Sequence, residues 1–228
     1  MLVAAGRWEL IMSKLIKKEF ILTAAPLTYI FMAFGLMTMI PGYPILMGGF
    51  FICLGIFYTF QFAREYNDVL YTALLPVRKR DVVKARYLFV VCIQLAGILL
   101  CGLLTLLRMT VLREAQVYQT NPLMNANPAF LGYLLVIMAL FNIIFLGGFY
   151  KSAYYYGKPF VLFCIAALVV IGLGETLHHI PGLGWLNTVA GAGAGRQFVV
   201  LLTGALLYAI GTLLSMKRSE ERFEMLDL

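Results

Sequence analysis

Three residues near the end of the fifth apolar stretch have types that could do chemistry. Glu175, His178 and His179 place one carboxylate and two imidazoles within five positions. Such groups hold divalent metals or move protons. Glu175 and His178 stand three apart and share a helical face. Adjacent histidines, however, cannot both aim at one ion from a regular helix, and no second carboxylate lies in an apolar stretch. A polar cap at the outer membrane face, or a gate, is the plainer reading. The sequence holds no Gly-x-x-x-x-Gly-Lys-Ser/Thr phosphate loop, no Gly-x-Ser-x-Gly and no His-Glu-x-x-His. The run Gly191-Ala192-Gly193-Ala194-Gly195 follows no strand and reads as close backbone packing.

What must position these residues is a membrane. Of 228 residues, 62% are hydrophobic and 13% charged, and the mean hydropathy is +0.88. Soluble domains carry about 25% charged residues, so a soluble domain, a disordered chain and a nucleic-acid-binding domain are excluded. Six stretches approach the ~20 apolar residues needed to cross a hydrocarbon core: 20–40, 44–63, 87–107, 129–150, 160–177 and 197–216. They do not alternate as barrel strands do. The expected fold is therefore all-α and polytopic, with six transmembrane helices. Of the 18 Lys and Arg, only Arg108, Arg113 and Arg196 fall in the second set of loops, so the positive-inside rule puts both termini in the cytoplasm. The net charge of +7 follows from that bias and requires no nucleic-acid partner. Cys53, Cys92, Cys101 and Cys164 lie within apolar stretches without metal-ligand spacing.

The first apolar run is too long for a cleaved signal peptide. Residues 1–19 form an amphipathic segment: Trp8, Ile11, Met12, Leu15, Ile16 and Phe20 make an apolar stripe, with Lys14, Lys17 and Lys18 opposite. That pattern suits a helix lying in the interface, or the extended start of the first span. Residues 1–11 are expected to be an upstream extension, with Met12 as an alternative start.

The 64–86 segment is far longer than the ~2–8 residues a helix connection needs. A short helix is expected over 65–75, ended by Pro76. Tyr66, Val69, Leu70, Ala73 and Leu74 share one face of it; Asn67, Asp68, Tyr71, Thr72 and Leu75 share the other. Arg78, Lys79, Arg80, Lys84 and Arg86 then form a basic anchor leading into the third span. From composition alone, docking to a soluble partner and simple topological anchoring are equally good accounts. Ionisable residues are absent from the span centres, which argues that driving energy comes from outside the chain.

This arrangement resembles the permease subunits of type-2 ATP-binding-cassette (ABC-2) exporters, over nearly the whole chain from Met12. The most specific stretch runs from Asp68 through Leu75-Pro76 and Arg78-Lys79-Arg80 to Tyr87. The nearest group is the compact six-helix bacterial permeases that include staphylococcal exporters of amphipathic modulin peptides. The resemblance implies a coupling helix at 65–75 within a transmembrane domain of residues 20–216, followed by a cytoplasmic tail at 217–228. Glu65, Asp68, Tyr71 and Leu75 would face a separate ATPase. Two ATPases and two permeases would work together in the bacterial inner membrane, with ATP and Mg²⁺ held by the ATPases and no cofactor in this chain. An amphipathic or hydrophobic substrate, a peptide among the candidates, would be exported. The chain departs from the pattern in its Gly-rich connection between spans five and six, which lacks an obvious pair of re-entrant helices. A polytopic membrane enzyme using Glu175, His178 and His179, and a non-transport assembly or immunity factor, are the alternative classes.

Overall fold

The computed structural model describes residues 2–74, 76–152, 155–189 and 193–225. Every regular element among them is helical. Helix α1 (Leu2–Lys18) runs into a π-helical turn at Glu19–Thr23. Ala24 and Ala25 are then extended, and α2 (Pro26–Met32) continues as a 3₁₀ helix over Ala33–Met39. The axis turns by 88° at this break. The cause is local: a residue preceding proline is disfavoured in the helical region, and Pro26 takes the first position of α2. The expected first span, 20–40, is thus bent: its opening residues 20–23 lie on the far side of the break from Pro26–Met39. Phe20 and its neighbours belong to the segment that turns away.

Helix α3 (Met47–Glu65) is followed by α4 (Asp68–Ala73) and the 32-residue α5 (Lys79–Thr110). A short α6 (Gln116–Gln119) precedes α7 (Pro128–Leu140), which passes through a π-helical stretch at Phe141–Leu146 into α8 (Gly147–Ser152). Helix α9 (Gly157–Thr176), 3₁₀ turns at Leu177–His179 and Gly184–Asn187, and α10 (Ala194–Glu224) complete the order. Five of these helical segments are long and apolar enough to cross a membrane, and the bent pair at the start makes a sixth if counted as one span.

The bundle closes by small residues and buried amides. A Cβ on Gly204 of α10 would stand 2.4 Å from the Gly132 carbonyl of α7, so only glycine permits this crossing. Thr28 of α2 donates to the Gly55 carbonyl of α3 at 2.8 Å, and its hydroxyl meets that of Thr59 at 2.7 Å. Deeper in the core, Gln94 (α5) and Asn142 exchange amide hydrogen bonds at 3.0 Å each. Tyr208 donates to Gln94 at 2.9 Å, and Asn142 donates to Thr212 at 2.8 Å. These uncharged groups fasten α5, the π stretch and α10 together where no water could satisfy them.

The segment from 217, expected as a tail, is helical through Glu224. Helix α10 runs unbroken to Glu224 beside the start of α5, where Arg80 meets Glu224 at 2.6 Å and Lys84 meets Glu220 at 3.8 Å. All four cysteines are free.

Candidate functional site

Three chain segments converge on Arg86, about two turns into α5. The side chain is 2% exposed. Its Nε lies 2.7 Å from Glu19 Oε2, and its Nη2 lies 2.5 Å from Asp68 Oδ2. Lys18 completes the group, with Nζ 2.6 Å from Asp68 Oδ1 and 3.3 Å from Glu19 Oε1. Lys18 also donates to Thr72 Oγ1 at 2.8 Å, and the Thr72 hydroxyl donates to the Asp68 carbonyl at 2.6 Å. Two cations and two anions thus neutralise one another between the end of α1 with its π turn, the start of α4 and the root of α5. The Arg86 guanidinium also rests 5.5 Å from the Phe60 ring centre of α3.

Each placement has a local cause. The π turn directs Glu19 inward and buries it. Met12 and Leu15 of α1 pack on Ala85, which sets Lys18 beside the root of α5, while Lys14 and Lys17 stay exposed. Trp8's side chain lies outside the described residues. Asn67 adopts a left-handed conformation with φ 53°, one that asparagine tolerates, and so separates α4 from α3. Burial alone would push the Asp68 carboxyl up, but Arg86 and Lys18 hold it below the ordinary carboxylate value.

This geometry corrects several expectations. Glu65 ends α3 instead of starting a separate helix, and α4 covers only 68–73. Leu75 lies outside the described residues. Asp68 turns into the ion cluster and Thr72 is buried, whereas Tyr66, Tyr71 and Leu74 are exposed. Of the expected faces, Asp68 and Thr72 both meet Lys18 while Tyr71 points outward; the side chains of Val69, Leu70 and Ala73 lie outside the described residues. Arg86 is no surface anchor. Arg78 pairs with Asp81 at 3.8 Å, and Arg80 and Lys84 with carboxylates of α10. The sequence signal that could have found the cluster is Glu19, an acidic residue entering an apolar run with Arg86 at the mouth of another. A cleft of about 160 Å³ opens beside α4, lined by Leu22, Thr23, Tyr66, Asp68 and Tyr71 among others.

At the other end of α5 the polar residues are mostly amides. Arg108 is 3% exposed and donates to the Thr38 carbonyl at 2.7 Å and to Asn125 Oδ1 at 3.1 Å, with its guanidinium 4.0 Å over the Tyr118 ring. Asn127 caps α7 by accepting from the Phe130 amide at 3.0 Å and donates to the Leu186 carbonyl at 2.7 Å. Gln197 donates to the carbonyls of Trp185 and Thr188 at 2.7 and 2.8 Å. A Cβ on Gly193 would lie 2.7 Å from Thr188 Oγ1, in keeping with close packing there; Gly191 and Ala192 lie outside the described residues.

Glu175 belongs to this cap. Its Oε2 accepts the Met124 amide at 2.8 Å. His178 Nε2 lies 3.1 Å from the Pro122 carbonyl, within hydrogen-bond reach. The His179 ring lies against that of His178, centres 4.0 Å apart and tilted by 38°. Among the described residues no three metal-binding side chains cluster.

The family model for ABC-2 family transporter proteins matches residues 14–219, nearly the whole chain. The chain belongs to that family. No curated protein and no solved structure matches it. As an ABC-2 family member it is a multi-pass membrane component of an ABC transporter, a class that associates with an ABC ATPase and is itself generally not catalytic.

Proposed function

We propose that this chain is the path-forming permease of an ABC exporter, and that α4 is the element through which a separate ATPase drives it. Six spans with both termini cytoplasmic, two permease copies and two ATPase copies make up the working unit. ATP and Mg²⁺ are bound by the ATPases. The substrate class is amphipathic or hydrophobic, peptides included, on the resemblance to modulin exporters. The observation that carries the reading is the ion cluster under α4. A push on the exposed side chains of Tyr66, Tyr71 and Leu74 cannot stop at α4, because Asp68 is tied to Arg86 of α5 and to Lys18 of α1. Such a linkage converts a cytosolic displacement into motion of a membrane-crossing helix.

The contact face is therefore Tyr66, Tyr71 and Leu74, with Glu65 beside it, while Asp68 transmits the load. These roles separate experimentally. Tyr66→Ala with Tyr71→Ala should abolish co-purification of the partner ABC ATPase, with the permease still folded. Asp68→Asn should leave the ATPase bound but sever substrate transport from hydrolysis. Full ATPase binding by the double tyrosine variant would sink the reading.

A further inference from the structure

A second polar feature stands apart from the ion cluster. A cavity of about 820 Å³ opens where the end of α3 and the α8–α9 connection meet, on the same side of the bundle as α4. Its rim carries Arg64, Lys151 and Lys158, and no carboxylate lines it among the described residues. Arg64 lies 5.1 Å from the Tyr156 ring centre, which fixes its guanidinium at the rim. The lining also changes character with depth. Ile144 sits seven positions before Lys151 along the π stretch and α8, and Leu162 sits four positions after Lys158 along α9. At about 1.5 Å per residue the apolar lining lies roughly 6–10 Å further into the bundle than the cations. Lys158 also stands in the first turn of the 20-residue α9, where the backbone adds positive potential.

Three cations above an apolar wall suit a phosphate diester carried on acyl chains. We infer that this cavity binds the headgroup of an acidic phospholipid, with Arg64, Lys151 and Lys158 around the phosphate and an acyl chain along Ile144 and Leu162. A zwitterionic lipid brings its own cation and gains less from such a rim. Arg64 stands in the last turn of α3, the helix that leads into α4, so an occupied cavity also braces the joint between α3 and α4. The inference does not depend on what the protein transports.

The test is lipid retention by the full-length protein. Native mass spectrometry from detergent containing equal phosphatidylglycerol and phosphatidylcholine should show phosphatidylglycerol kept preferentially. Lys151→Ala with Lys158→Ala should weaken that retention by about thirtyfold, from the typical attraction of two basic side chains to an acidic surface. Lys14→Ala with Lys17→Ala, on the exposed face of α1, should leave it unchanged. Equal retention of the two lipids, or the same loss in both double variants, would overturn the assignment. If the first variant does not fold, the wild-type protein still decides. Phosphatidylglycerol, but not phosphatidylcholine, should shield Lys151 and Lys158 from an amine-reactive reagent, and unshielded labelling would refute the site.

Discussion

Helix α5 carries two buried arginines about 33 Å apart along its axis, and their surroundings differ. Arg86 sits among full charges drawn from three separate segments. Arg108 sits among a carbonyl, an amide oxygen and a tyrosine ring. Charges taken from water are costly alone and tolerable together. The α4 end is thus a joint whose members depend on one another. The opposite end is a cap of independent hydrogen bonds, each modest in worth. Motion is expected to enter at the first, and sealing to belong to the second.

The comparison is broken most directly at Arg86. Arg86→Ala leaves the Glu19 and Asp68 carboxylates to share Lys18 alone and should cost about 3–5 kcal/mol, seen as a large fall in the apparent unfolding temperature in detergent. Replacing Glu19 and Arg86 together by apolar residues should be much milder than either change alone, and additive losses would show that the four groups do not act as a unit. Arg108→Ala leaves only neutral acceptors behind and should cost about 1–3 kcal/mol. A loss there as large as at Arg86 would erase the proposed distinction between the ends. Asn127→Ala removes a helix cap and one cross-link to Leu186, worth about 1–2 kcal/mol, measurable in the same unfolding assay. The smallest effect is local. The Asp68 pKa lies below its ordinary 3.8, so its stabilisation is complete above that pH and is lost as the pH falls through the lower folded value. Amide exchange across 68–73 should therefore accelerate only in strong acid, whereas the cap at Asn127 should show no such transition.

The helical class was legible because it rests on composition and apolar length. The stripe Ile11, Met12, Leu15 and Ile16 was also legible, since its partner Ala85 only completes a pattern already present along one helix. The ion cluster was not. Glu19, Asp68 and Arg86 are remote in the chain, and each alone resembles an ordinary residue at a membrane boundary. Nor could periodicity orient Asp68, because one left-handed residue at Asn67 voids any phase counted across it. Glu175 and His178 drew notice for their chemistry, yet their partners are the backbone of Met124 and Pro122, which no side-chain pattern reveals.

The 3₁₀ half of the first span carries its own consequence. Seven residues wound at about 2.0 Å of rise reach some 3.5 Å farther than the same seven in α-helical form. The short segment Pro26–Met39 thereby gains length without gaining residues. Rewinding it would shorten its reach with no change at either anchor.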